Sequence, residues 1–343
     1  MTPFLAALAG DPEVEALLSD EAQLANMLAV ERALAQASAD AGLITSAAAA
    51  QITAAIDAFT PDLAILTAGM SRDGIVVPAL ISALRATIPA PHRAALHEGA
   101  TSQDIVDTAL MLQAAKILDV LQARISDLLT HLADLRTANG ERPLMAHTRM
   151  QAALPISWSD KLQAWSDPFV RHLQALGEMR HDLLVVQLGG PVGDRRSFEG
   201  KGEAIAAGLA QRVGLGLAAP WHTDRDRVVA LGNLLARITG SIGKLGADIA
   251  LLAQSEVAAI TLEGGGGSSA MAHKSNPVAA EVLVALARYN AGLAGTLQHA
   301  MIHEYERSGA GLTLEWLTLP QIFVTSGASL RLALRLIDQI RLA

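Results

Sequence analysis

The chain has 343 residues, no cysteine and a formal charge of -8, from 34 acidic and 26 basic side chains. That balance excludes the basic face of a nucleic-acid binder, and the missing thiols exclude a disulfide frame or a thiolate metal site. Hydrophobic residues make up 51% but aromatic residues only 3%, and alanine recurs throughout, which favours packed helices over a sheet sandwich and predicts an almost all-α protein.

The opening MTPFLAALAGDPEVE lacks the basic-then-apolar order of a secretory leader. Charges interrupt every apolar stretch before the roughly 18 to 20 residues that span a bilayer, so no membrane association and a cytoplasmic location are expected. Residues 1–95 read as a small N-terminal helical domain, with helices over 13–41, 46–59, 61–68 and 75–88 between Gly42, Gly69, Gly74, Pro89 and Pro91. Residues 96–343 read as a second domain built from long helices. Three seams spaced by three and four residues mark them: Leu118, Leu121, Ile125, Leu128, Leu132 and Leu135; then Trp158, Leu162, Trp165, Phe169, His172, Leu176, Met179 and Leu183; then Val228, Leu231, Leu235, Ile238, Ile242, Leu245, Ile249 and Leu252. The last seam predicts a helix over 224–261, which at 1.5 Å per residue would run about 57 Å, beyond what a compact monomer covers. The opposite faces carry Ala, Gly and Leu where a monomer would carry charge, so self-association is expected, with a homotetramer the simplest closed solution.

Three polar islands and one weaker polar stretch, PWHTDRDR, interrupt this pattern. In HEGATSQDIVDTA, from His97 to Ala109, hydroxyls and backbone N–H groups gather where a long helix begins; Thr101 or Ser102 could cap the helix or bind an anion. MAHTRMQAALP spans 145–155. In PWHTDRDR, His222 could close the preceding loop or belong to a site. GGGGSSAMAHKSNP, from Gly264 to Pro277, places glycines beside hydroxyl, ammonium and amide groups; it reads as a flexible linker or as a mobile anion-gripping loop. No HExxH pattern and no GxxxxGK[ST] order occur, so neither metal nor cofactor is expected.

Within the last island, GSSAMAHKSN resembles the GSSxMPxKxN signature of the fumarase/aspartase superfamily, with Ala272 in place of the usual proline. HEGATSQDxxDTA is similar to the first conserved region of that superfamily, in the wording of its adenylosuccinate lyases and carboxymuconate cycloisomerases. PWHTxRDR and SDEAQLANMLAVERALAQA, near the start, are similar to the latter. MAHTRMQAALP aligns with the second region, GRTHxQxAxP, but Arg149 stands where the family has histidine and His147 where it has arginine. Arg149 cannot serve as an acid near neutrality; it can clamp an anion.

The resemblance implies a long-helix bundle with most of the usual C-terminal domain missing, a homotetramer with a 20-helix core, and active sites shared among three subunits. It implies Ser268 and Lys274 as catalytic residues. Substrate binding would fall to His97, Thr101, Ser102, His147, Thr148, Arg149, Gln151, His222, Ser269, Met271 and Asn276, with Glu281 as the supporting partner of residue 149. Proton exchange beside a carboxylate passes through a doubly charged enolate-like species, which Lys274, Asn276 and loop amides would stabilise. With no histidine opposite Glu281, the resemblance points to the lactonising branch: closure of a carboxymuconate, a small polycarboxylate, to a carboxymuconolactone, with a sulfonated analogue as a further candidate. A fumarate-releasing lyase and a non-catalytic tetrameric scaffold are the alternatives.

Overall fold

The computed structural model describes residues 2–267, 271 and 275–343. Six helices open the chain: α1 (Pro3–Ala9), α2 (Pro12–Leu17), α3 (Asp20–Asp40), α4 (Ser46–Ala58), α5 (Leu63–Asp73) and α6 (Val77–Thr87). The helix predicted over 13–41 is two helices, because Ser19 adopts an extended backbone and its hydroxyl caps α3 by accepting from the Ala22 N–H (3.2 Å). Asp62 caps α5 in the same way, accepting from the Ala64 N–H (2.9 Å). That helix runs through Gly69, where a break was expected. A Cβ there would sit 2.3 Å from the Ala79 Cβ, so the glycine lets α5 cross α6 closely.

A 3-10 turn (Ala90–Ala95) leads into α7 (Ser102–Asn139), whose 38 residues form a rod about 57 Å long. A hairpin of β1 (Pro143–Thr148) and β2 (Gln151–Ser157) reverses the chain into α8 (Trp158–Leu183). After α9 (Gly202–Val213) come α10 (Asp226–Leu252), β3 (Ile260–Leu262), α11 (Val278–His299), α12 (Gly309–Gln339) and β4 (Ile340–Leu342). Helices α7, α8, α10, α11 and α12 pack into one bundle, so the protein is all-α apart from short strands at one end.

The three sequence seams form its core. Leu118, Leu121, Ile125, Leu128 and Leu132 are each fully buried, as are Leu162, Phe169, Leu176, Val228, Leu231, Leu235, Ile238, Ile242 and Ile249. Each such side chain removed from water contributes about 1.5–3 kcal/mol. His172 sits in the same layer with Nε2 2.9 Å from the Ser241 hydroxyl. Burial, and then the charges of Arg237 and Arg171, push its imidazole down to about 4, so it packs as a neutral ring.

The helix predicted over 224–261 stops at Leu252. The next residues turn through Ala258 (φ 46°), and β3 pairs antiparallel with β4, Ile260 opposite Leu342 and Leu262 opposite Ile340. Burying Ile260 opposite Leu342 needs that pairing, which a continued helix would prevent. Among the described residues, Asp226–Leu252 is the one unbroken helix long and apolar enough to cross a membrane, and 61% of its apolar window is buried inside the bundle.

A second apolar core joins α3 to α6 and the first turns of α7 with Val186, Leu188, Phe198 and the buried face of α9. Through it, the segment after α8 is wedged beneath the start of α7.

Candidate active site

At the start of α7, Thr101 and Ser102 lie half-buried at the helix mouth, where backbone N–H groups and the helix dipole favour an anion. Asp104, one turn in, is buried and ties this mouth together. Its carboxylate accepts from the N–H groups of Thr101 (3.0 Å), Gly189 (2.8 Å) and Gly190 (3.0 Å) and meets His222 Nε2 at 2.8 Å. Gln103 donates to the His222 carbonyl (2.7 Å) and to Asp107 (3.0 Å).

Deeper still, Arg225 lies over the Trp221 ring. It grips Asp107 through two bonds (2.8 and 3.0 Å) and Glu315 through two more (2.8 and 2.6 Å). Burial works against the guanidinium charge, but the two carboxylates outweigh it and hold the pKa above the ordinary arginine value. His222, expected to contact substrate, is instead sequestered at 4% exposure and braces Asp104. Of the two readings of PWHTDRDR, loop closure fits this burial.

The second island forms the β1–β2 hairpin, a strand pair that neither composition nor periodicity indicated. Thr148 pairs with Gln151, so Arg149 and Met150 alone make the turn, at φ 49° and 66°. Such two-residue turns favour Asn-Gly, because both positions need left-handed geometry. Arg-Met there is strained, and nothing in its wording announces a turn. Arg149 is exposed and carries no hydrogen bond or ion pair among the described residues. His147, Thr148 and Gln151 are exposed beside it, and His147 Nδ1 lies 3.1 Å from the Met145 carbonyl oxygen. Behind the hairpin is a cavity of about 590 Å³ whose lining includes His147, Arg149, Lys161 and Asp248, the last two ion-paired at 2.8 Å.

The third island begins and ends in a pinch. Gly266 and Asn276 exchange both backbone hydrogen bonds (2.9 and 2.8 Å), so the chain leaves at Gly267 and returns at Ser275 from one narrow base. No side chain fits there: a Cβ on Gly265 would lie 2.1 Å from the Ser275 hydroxyl oxygen, and one on Gly266 2.4 Å from Val278. Asn276 is half-buried with its amide 3.5 Å from the Gly267 carbonyl, Met271 is exposed, and Glu281 is exposed on the first turn of α11. Ser268, Ser269 and Lys274 lie outside the described residues.

The hairpin and the loop base share one end of the bundle. Arg142, just before β1, donates to the Leu342 carbonyl (2.9 Å), and Leu342 pairs with Ile260 just ahead of the loop. His97, Thr101 and Ser102 lie at the other end, a full length of α7 away, about 57 Å. One chain therefore brings two islands together and holds the third apart. Sequence reasoning assigned no role to Glu31, Asp104, Asp107, Arg225 or Glu315. Glu31 stood inside a quoted stretch and Asp104 inside a quoted island, but their partners are distant in sequence.

A lyase family profile matches residues 12–290. The 3-carboxy-cis,cis-muconate cycloisomerase of Bradyrhizobium diazoefficiens is 38% identical over 336 residues, covering 96% of this chain and 74% of that protein. The crystal structure of 3-carboxy-cis,cis-muconate lactonizing enzyme from Pseudomonas putida superposes with a TM-score of 0.94 at 37% identity, over 99% of this chain and 77% of that one. The crystal structure of fumarate lyase from Mesorhizobium sp. BNC1 follows at 0.91 and 31%, over 97% and 76%.

Proposed function

Because the chain belongs to the lyase family, in the fumarase/aspartase superfamily that its motifs resemble, we propose that it is a cycloisomerase closing 3-carboxy-cis,cis-muconate to 4-carboxymuconolactone, a step in protocatechuate breakdown. A carboxylate oxygen of the substrate adds across a conjugated double bond, and the carbon next to another carboxylate takes up the charge. That carbanion is enolate-like, and stabilising it calls for a cation and N–H donors more than for a strong base. Lys274, Asn276 and the amides of the glycine loop suit that task, and Lys274 or Ser268 returns the proton to carbon.

The observation that carries this reading within the site is Arg149. At the tip of the hairpin stands a guanidinium that holds its protons at any physiological pH, so the position offers an anion clamp and no proton relay to Glu281. A substrate with three carboxylates gives such a clamp something to hold.

The assembly we propose is a homotetramer in which different copies supply the separated islands. Two features support it. The islands lie at opposite ends of a rod about 57 Å long. On the exposed side of α10 and α11, Gly240, Gly292 and Gly295 face open space, although a mid-helix glycine costs about 0.5–1 kcal/mol relative to alanine, a cost that close approach of another helix would offset. Five long helices per chain give twenty in four copies.

The test is to mix the protein with 3-carboxymuconate and follow loss of the conjugated-diene absorbance, with adenylosuccinate and argininosuccinate as controls. Turnover of either control without turnover of the muconate would replace the cycloisomerase reading with a fumarate-releasing one.

A further inference from the structure

A histidine in left-handed backbone geometry is uncommon, and His97 (φ 64°) is held there from both sides. Upstream, Arg85 of α6 donates to the Leu96 carbonyl (3.0 Å). Downstream, Ser197 donates to the Gly99 carbonyl (2.6 Å), and Phe198 packs against the bare Cα of Gly99. The imidazole so placed meets Glu31 of α3, with Nδ1 2.6 Å from Oε1. That carboxyl group is 1% exposed, and its Oε2 has no hydrogen-bond partner among the described residues. An ionised carboxylate buried this deeply with a single partner is tolerable only beside a positive charge.

We infer that Glu31 is the positioning residue for His97: it fixes the ring and holds it as an imidazolium, leaving Nε2–H as a charged donor beside Thr101 and Ser102 at the mouth of α7. The inference deepens the cycloisomerase reading and rests on it for the identity of the bound anion. Nδ1 is committed to Glu31 and Nε2 has no partner among the described residues, so the 14% of the side chain that reaches solvent offers this second nitrogen to a ligand. Three charged groups act on the ring: Glu31 from α3, Asp104 from α7 and Arg85 from α6. Burial disfavours the imidazolium most, but the charge and hydrogen bond of Glu31, helped by Asp104, outweigh burial and Arg85, and the pKa lies above its ordinary value. A ring held in that state binds a carboxylate and does not act as a base.

The decisive measurement is the NMR titration of the His97 ring in the free tetramer, beside that of Glu31→Gln. The wild-type midpoint should exceed the ordinary histidine value of about 6.5, and that of the variant should lie below the wild-type midpoint. A wild-type midpoint at or below 6.5 overturns the proposal without recourse to any variant. In turnover, Glu31→Gln should raise KM for 3-carboxymuconate about tenfold at a pH between the two titration midpoints while kcat changes by less than about threefold, as for loss of one charge-assisted hydrogen bond. The sign follows from the pair: the wild-type imidazolium persists until pH rises past its raised pKa, whereas the variant, left with burial and Arg85 against Asp104 alone, loses it at lower pH, so its KM climbs at a lower pH than that of the wild type. Glu31→Asp, which keeps the charge, should recover part of the loss. In a His97→Asn background, Glu31→Gln should add nothing; additive effects would mean that Glu31 acts elsewhere. If 3-carboxymuconate is not turned over but the midpoint is raised, the substrate reading falls and the pair stands, with tricarballylate as the probe that should shift the ring resonance.

Discussion

The two ends of the bundle handle charge in opposite ways. At the start of α7, Asp104, Asp107, Arg225 and Glu315 are buried and bonded to one another or to backbone amides, and His222 is shut in with them. At the far end, Arg149, His147, Gln151 and Glu281 stand in solvent without ion-pair partners among the described residues, on a strained turn and beside a loop pinched at its base. The first end is preorganised within one chain. The second presents groups that a single chain leaves to solvent. A buried network costs desolvation and returns geometry, whereas exposed groups stay free to be recruited.

The same substitution at both ends should expose this contrast. Arg225→Met strands Asp107 and Glu315 in the core and should cost about 3–5 kcal/mol of stability, read from urea unfolding. A stable Arg225→Met protein would mean that the network is not what holds the first end together. Lys274→Met should leave unfolding unchanged and lower kcat roughly 10²- to 10³-fold, the usual loss when a donor to a developing oxyanion is removed. Near-normal turnover would end the enolate-stabilising role for Lys274. Arg149→Met, the counterpart of the first variant, should move stability by less than about 0.5 kcal/mol and raise KM about 10- to 100-fold. Arg149→His refines that test: an exposed imidazole loses its charge as pH rises past about 6.5, so KM should become pH-dependent where the arginine enzyme is flat.

What the sequence revealed follows the same division. Long helices announce themselves locally, and the seams through Leu118, Trp158 and Val228 were legible because three-and-four spacing needs no knowledge of the partner. The end of α10 was not legible, since it depends on β3 pairing with residues from the far end of the chain. The hairpin escaped for a related reason: Arg-Met carries no turn signal, and the strands are set by register across the turn. Within the site, GGGGSSAMAHKSNP was readable as wording, because its glycines, hydroxyls and ammonium are contiguous. Glu31 and His97 are 66 residues apart, and Asp107, Arg225 and Glu315 come from three different helices or their caps; only folding pairs them.

The smallest effect belongs to the turn. Met150 at φ 66° occupies geometry that a side chain disfavours by about 1–2 kcal/mol, so Met150→Gly relieves strain in the folded hairpin. Glycine also loosens the unfolded chain by about 0.5–1 kcal/mol, and the two terms nearly cancel. With the residue 75% exposed, little packing is lost within the chain, so unfolding free energy should shift by less than about 1 kcal/mol. Met145 and Leu154 are exposed along with it, an apolar surface that a single chain leaves uncovered. If Met150→Gly instead lowered stability by about 2 kcal/mol or more, or dissociated the assembly in sedimentation, the methionine would be buried in the working protein. The second end would then be as preorganised as the first, with its packing supplied by a neighbour.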